Sequence, residues 1–280
     1  MKGFKLYKKE PNTIDNGSLY TKEIYINGLN ADNKRLIRVY LPSDYDFENP
    51  SKRFPVLYMM DGKNLFDDHT SFVGEWQIDE TIEEFVNNNK RGIIVVGIDS
   101  ANDGFERMKE MLVPSSYLSK RHFKYDVKAQ ADILAKYIVN ELKPYIDDNF
   151  YTLKDKDNTG VGGSSMGGLF SFYLGLKYKE KIGFILSFSP AFMLYKEKEF
   201  LKSLYNSSLN FNEVGKIFFW TGGINLDKEI KSLTIKTYNC LYKKGFDFNH
   251  CRLIYDSCGD HNEQSWRLPF KQALKWWKYQ

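Results

Sequence analysis

Cysteine is scarce: Cys240, Cys251 and Cys258 are the only three in 280 residues. Three thiols make no disulfide framework and fit a reducing compartment better. Long hydrophobic runs are missing too. No stretch approaches the ~20 apolar residues needed to span a bilayer, and Met1-Lys2-Gly3-Phe4-Lys5 lacks the apolar core of a secretory signal. Neither sign of charge is in large excess. The 40 basic and 36 acidic residues leave a net +4, and basic clusters are only pairs such as Lys8-Lys9, Lys120-Arg121 and Lys243-Lys244. A nucleic-acid binder concentrates such residues on one face or stripe, whereas scattered pairs read as solvated surface. The expectation is a soluble cytoplasmic chain with no nucleic-acid or membrane partner. Internal repeats, low-complexity tracts and linkers are also lacking, so a single domain over residues 1–280 is expected. At that length a chain buries roughly three quarters of its unfolded surface and needs no staples.

Aromatic residues are plentiful at 16% of the chain, enough for a large core with some rings left to line a pocket. Short apolar runs alternate with longer helical patterns. Residues 20–26, 36–41, 55–60, 93–98, 184–188, 217–220 and 251–255 read as strands. Several are continuously apolar, as strands covered on both faces are, while the first two alternate like antiparallel edge strands. Turn-rich breaks separate them at Leu29–Asn33, Glu48–Ser51 and Lys154–Asn158. Asp126 is placed to cap a helix with Val127, Ala131, Leu134, Ile138 and Leu142 on one stripe. Trp266, Phe270, Leu274 and Trp277 form a second stripe, with Pro269 expected in its first turn. The fold class is therefore α/β, a mainly parallel sheet with helices on both faces, whose ligands bind beyond the carboxyl ends of the strands.

Gly163-Ser164-Ser165-Met166-Gly167 satisfies G-x-S-x-G, with an apolar lead-in and a helix expected from Met166 to about Lys177. The chemistry needs those glycines because the serine sits on a strained strand-to-helix turn whose backbones pack closely. Ser164 does not fit this register, since Gly162 and Met166 flank it at two positions. The competing readings are a plain tight turn and a dinucleotide loop, which Gly160-x-Gly162-x-x-Ser165 mimics only loosely, because that motif wants a third small residue after a long strand and an acid about 20 residues on. A phosphate-binding loop is excluded because Leu169 follows Gly167-Gly168 where a lysine is required.

A serine nucleophile needs a base, and only His69, His122, His250 and His261 are available. His261 follows the last strand and precedes the last helix, where hydrolases of this chain order carry it. A metal corner at Cys258, Asp260 and His261 is excluded for want of a second ligand pair, and no cofactor is expected. The orienting acid should follow strand 217–220. Asp227 is favoured, with Glu229 and Asn225 as alternatives and a helix cap as the bland role for Asp227. Oxyanion donors are expected at the N–H groups of Met166 and Lys63, the latter in the glycine loop after strand 55–60.

With these residues placed, the chain resembles the putative-esterase family of α/β-hydrolases, which includes enterobactin-type siderophore esterases, feruloyl and acetylxylan esterases, S-formylglutathione hydrolases and mycolyltransferases. The resemblance runs through Val39–Pro42, Tyr58–Phe66, Trp76, Arg107 with Glu110, Glu141–Ile146, the serine elbow, Ser187–Pro190 and Gly259–Glu263 with Trp266. It covers nearly the whole chain and is closest to the siderophore-esterase-like branch. It implies a serine carboxylic-ester hydrolase acting on a small-molecule ester of siderophore, carbohydrate or phenolic type. The departure is at the acid, where the family's usual position holds Asn225. Arg107 and Trp76 are candidate substrate contacts, although Arg107 could equally pair with Glu110. Phe66, Phe105, Tyr117 and Phe192 join Trp76 as candidate pocket walls. An acyltransferase on the same serine and a non-catalytic binding protein are the alternatives.

Overall fold

The computed structural model describes residues 2–8, 10–29, 33–123 and 127–279. Nine strands form one sheet: β1 (Lys5–Leu6), β2 (Ser18–Tyr25), β3 (Lys34–Leu41), β4 (Val56–Met60), β5 (Ile94–Ile98), β6 (Thr159–Ser164), β7 (Phe184–Phe188), β8 (Lys216–Thr221) and β9 (Cys251–Tyr255). Their order is β1-β2-β3-β5-β4-β6-β7-β8-β9. The pairs β1–β2, β2–β3 and β3–β5 are antiparallel, and β5-β4-β6-β7-β8-β9 run parallel. The alternating runs at 20–26 and 36–41 are thus the antiparallel ones. The parallel strands β4 to β8 are almost wholly buried, because helices cover both faces.

Among the described residues eight α-helices do the covering: α1 (Ile78–Asn87), α2 (Gly104–Met111), α3 (Ala131–Tyr137), α4 (Lys143–Asn149), α5 (Met166–Lys177), α6 (Glu197–Asn206), α7 (Asp227–Lys243) and α8 (Glu263–Lys278). The pleat sorts side chains between two cores. Along β4, Val56, Tyr58 and Met60 join the core beneath α2 to α7, while Leu57 and Met59 join the one beneath α1 and α8. The expected α/β class with helices on both faces is the observed one.

Three local expectations change. Asp126 lies outside the described residues, as do the turn positions Asn30, Ala31 and Asp32; the helix begins at Ala131 after a Gln130 cap. It passes through a π-turn at Ile138–Leu142 into α4, whose first turn contains Pro144. The proline ring would collide with the carbonyl four residues back, and the wider turn opens room for it. Pro269 is inside α8 rather than in its first turn, because Asn262 starts the helix earlier by accepting the Ser265 N–H.

Trp76 and two other candidate pocket walls prove to be core. Trp76 is 2% exposed, with its ring centroid 5.2 Å from Trp266 and 5.6 Å from Phe188. Phe66 and Phe192 are likewise buried, and Phe105 is exposed. Large rings fill the space between α1, α8 and the sheet, so the position that reads as a pocket wall is a packing position. Tyr117 does line a groove of about 410 Å³ with Leu169, Phe172 and Tyr195, but none of Ser165, Asp227 and His261 borders it.

Candidate active site

The carboxyl ends of β4, β6, β7, β8 and β9 meet on one edge, and the chain is bent sharply there. Six non-glycine residues have positive φ among the described residues. Four of these, Asp61, Ser165, Ser189 and Asn225, follow the ends of β4, β6, β7 and β8. Such strain collects where a surrounding scaffold over-determines a functional geometry.

Ser165 has φ 56 and ψ −119 between β6 and α5. The glycines make this turn possible. A Cβ on Gly163 would come within 2.9 Å of the Gly167 carbonyl carbon, and one on Gly168 within 2.7 Å of the Phe188 oxygen. The backbone of Ser165 is held at both ends: its N–H donates to Phe188 O at 2.9 Å, and its carbonyl accepts from Ala191 N at 3.0 Å. Its Oγ makes no hydrogen bond among the described residues. Met166 opens α5, so its N–H has no intrahelical partner.

Asp227 is fully buried at the first position of α7. Its Oδ1 lies 2.7 Å from His261 Nδ1. Its Oδ2 accepts from Ser189 Oγ at 2.7 Å and from Gly222 N at 2.5 Å. Trp266 Nε1 donates to the same Ser189 Oγ at 3.3 Å, and the Trp266 ring meets the His261 ring edge-on at 5.3 Å. The imidazole is therefore fixed from two sides. Asn225 instead donates to Asp260 Oδ2 at 2.8 Å, and Glu229 is an exposed partner of Arg121 at 3.4 Å. Of the three carboxylate or amide candidates, only Asp227 reaches His261.

The loop after β4 forms a short 3₁₀ turn at Gly62–Asn64 beside the start of α5. A Cβ on Gly167 would be 3.0 Å from Met60 Cβ and 3.3 Å from Asp61 Oδ2, so Lys63 and Met166 belong to adjoining turns. Asn64 Nδ2 donates to Glu263 Oε1 at 2.7 Å, tying this loop to the His261 loop. Burial pushes the Glu263 carboxyl above its ordinary range.

Arg107 does not pair with Glu110 through a hydrogen bond. It grips Asp61 with Nε and Nη2, both at 2.7 Å, while Glu110 binds Arg35 at 2.5 Å across the buried interior. Burial acts to raise the Asp61 carboxyl, but the Arg107 guanidinium and the Ser100 hydroxyl outweigh it and hold it below the usual range. A carboxyl depressed on folding contributes stability above its unfolded value of about 4 and loses it as pH falls through the folded value. Arg107→Met is expected to lower unfolding free energy at pH 7 by about 2 kcal/mol, less than the ~3–5 kcal/mol of a fully buried pair, because both side chains keep some solvent contact. Urea titrations should show the gap between the two proteins narrowing at pH 3.5; an equal gap at both pH values contradicts the assignment.

The sequence reading assigned no role to Asp61, Ser189, Asn64 or Glu263. All four lie inside stretches that carried the family resemblance, but the pairs that place them at the site, Asp61 with Arg107, Ser189 with Asp227 and Asn64 with Glu263, are 46, 38 and 199 residues apart in the chain. Only Ser187-Phe188-Ser189-Pro190, a small polar pair after an apolar strand, offered a local signal.

Comparisons with known proteins follow the same line. The family model described as Putative esterase matches residues 29–277. The uncharacterized protein YbbA of Bacillus subtilis (strain 168) is 25% identical over 253 residues, covering 88% of this chain and 93% of YbbA. An endo-1,4-beta-xylanase/feruloyl esterase of Xylanibacter ruminicola is 31% identical over 150 residues, 52% of this chain and 18% of that protein. Among solved structures, a ferulic acid esterase superposes with TM-score 0.67 at 17% identity, covering 94% of this chain and 98% of the other. The enterobactin esterase FES from Shigella flexneri, in the presence of 2,3-di-hydroxy-N-benzoyl-glycine, gives TM-score 0.67 at 19% identity over 92% of this chain and 59% of the other. At such identities these structures speak for the fold, which is that of the α/β-hydrolases. No helix among the described residues is long and apolar enough to cross a membrane.

Proposed function

The chain belongs to the Putative esterase family and is a carboxylic ester hydrolase, and from that premise we propose that it works through an acyl-enzyme on Ser165. His261 is the base and Asp227 the acid that orients it. The observation that carries this reading is the 2.7 Å contact between buried Asp227 and His261 Nδ1, on the same sheet edge as the strained Ser165. With Nδ1–H held by Asp227, the lone pair of Nε2 is free to accept the Ser165 proton. Oγ then attacks the ester carbonyl, and the oxyanion is met by the N–H groups of Met166 and Lys63, each such donor typically worth ~2.7–4 kcal/mol. The tetrahedral intermediate collapses as His261 returns its proton to the departing alcohol. A water deprotonated by His261 then releases the acid and regenerates Ser165.

The substrate proposed is a small ester of the siderophore or feruloyl kind, as the printed names of the relatives suggest. Arg107 spends Nε and Nη2 on Asp61, which leaves Nη1 to contact a polar group of such an ester. One cytoplasmic domain over the full 1–280 range, without cofactor or catalytic metal, completes the proposal.

A fluorophosphonate probe tests it. The expected result is one adduct per chain, mapped to Ser165 by peptide mass spectrometry, with p-nitrophenyl butyrate hydrolysis lost in proportion to labelling. Labelling at another residue, or full activity after labelling at Ser165, overturns the proposal.

A further inference from the structure

Just before helix α1 and in its first turn lie three carboxylates that the proposed chemistry does not use. Glu75 is 3% exposed, Asp79 is fully buried and Glu80 is half-buried. One oxygen from each sits within 4.8 Å of the other two. Among the described residues none of the three makes an ion pair. Asp79 Oδ2 accepts the Asp15 N–H at 2.8 Å and Glu75 meets the Thr13 side chain, but Glu75 Oε2, Asp79 Oδ1 and Glu80 Oε2 are buried with no donor, and the Asp79 and Glu80 carboxyls face each other. Arg267, the nearby cation, spends Nε and Nη2 on the Glu75 backbone carbonyl, at 3.3 and 2.9 Å.

Orphaned carboxylate oxygens in a protein interior are destabilising unless a counter-charge or a proton neutralises them. Burial, and then the charge of Glu80, push both Glu75 and Asp79 above the ordinary carboxyl range. The cluster therefore takes up either protons or a cation.

We propose that Glu75, Asp79 and Glu80 form a Ca²⁺ site that braces the Gly62–Asn64 loop through its neighbouring segment. The spacing admits calcium, and the ligand type and burial favour it. Calcium holds oxygens at 2.3–2.6 Å, so two ligands of one ion lie up to roughly 5 Å apart, and the three oxygens here lie within that reach. Magnesium demands shorter bonds and keeps several waters, which a site this buried does not favour. Zinc prefers nitrogen and sulfur ligands, and the cluster has no His or Cys. The segment is coupled to the loop directly: Trp76 N donates to Asn64 O at 2.7 Å and Ile78 N to Leu65 O at 3.1 Å. Bound calcium would thus stiffen the turn that presents the Lys63 N–H. Only this catalytic corollary rests on the proposed mechanism; the binding itself does not.

The test uses the full chain, stripped with chelator and dialysed. Isothermal titration with Ca²⁺ should give one site, and Tm should rise with Ca²⁺ concentration and much less with Mg²⁺ at equal concentration. Terbium, as a calcium surrogate, should luminesce on tryptophan excitation, since Trp76 adjoins Glu75. Glu80→Gln changes a half-buried ligand with little change of shape. It should weaken Ca²⁺ binding at least tenfold yet leave the metal-free Tm equal to or above that of the wild type, because one repelling charge is gone. An exposed-acid control, Glu197→Gln, should bind as the wild type does. The proposal fails if the stripped wild type binds no Ca²⁺ at millimolar concentration, or if Glu80→Gln binds it unchanged. It also fails if Glu80→Gln lowers the metal-free Tm, which would mark that carboxylate as a structural hydrogen-bonding group.

Discussion

Ser165→Ala is expected to lower kcat for p-nitrophenyl butyrate by on the order of 10⁶-fold, with KM and Tm little changed. The expectation follows from what the substitution leaves alone. The backbone of Ser165 is held by Phe188 O and Ala191 N, and the glycines around it already satisfy the close contacts of the turn. Removing Oγ therefore deletes the reacting atom without unfolding the elbow. His261→Ala should cost nearly as much, because a serine hydroxyl without its base is a poor nucleophile at neutral pH. The double variant should be scarcely worse than either single one, since the two side chains act as a unit. The residual rate should still exceed the uncatalysed one, reflecting substrate binding and the Met166 and Lys63 N–H groups. Steady-state kinetics on the three variants, with thermal melts beside them, gives the answer. A Ser165→Ala protein within tenfold of wild type would remove the acyl-enzyme from the mechanism.

How much of this could be read from the chain depended on how local each cause was. The strand bounds Phe184–Phe188 and Cys251–Tyr255 are the same in sequence and structure, because each is a short run bounded by turn residues on both sides. The helix Met166–Lys177 was equally legible from its glycine-rich start. Pro269 was not. Its place in the first turn was inferred from where proline is tolerated, whereas the Asn262 cap seven residues earlier set the helix start. At the site, the sequence favoured Asp227 but left Asn225 and Glu229 open. Folding separates them: Asn225 takes φ 48 and turns the chain, and Asp227 then opens α7 facing the sheet edge. Glu229, two residues on and about 200° around the helix, faces Arg121 instead. Asp61 and Ser189 were hidden for a different reason. Their partners Arg107 and Asp227 are 46 and 38 residues distant, and no periodicity joins them.

Asp227→Asn should reduce kcat by about 10⁴-fold while the protein stays folded. The two oxygens of Asp227 face different neighbours. Oδ2 accepts two donors, from Ser189 and Gly222, so in the variant the amide oxygen will occupy that position and the amide NH₂ will turn to His261. A donor facing Nδ1 forces the ring into the tautomer that carries its proton on Nε2. That nitrogen then presents a proton to Ser165 and cannot take one. The loss comes from a misplaced proton rather than from lost packing, so Asp227→Asn should be impaired out of proportion to its Tm. Asp227→Ala, by contrast, should be less stable, since it strands the buried Ser189 hydroxyl and Gly222 N–H. Asn225→Ala and Glu229→Gln, which alter the two rejected candidates, should keep kcat within about threefold of wild type. The measurement is kcat across the four variants with unfolding curves for each. If Asp227→Asn retains a tenth or more of wild-type activity, His261 works without a carboxylate partner, and the buried contact at 2.7 Å only locks the loop after β9 to the start of α7.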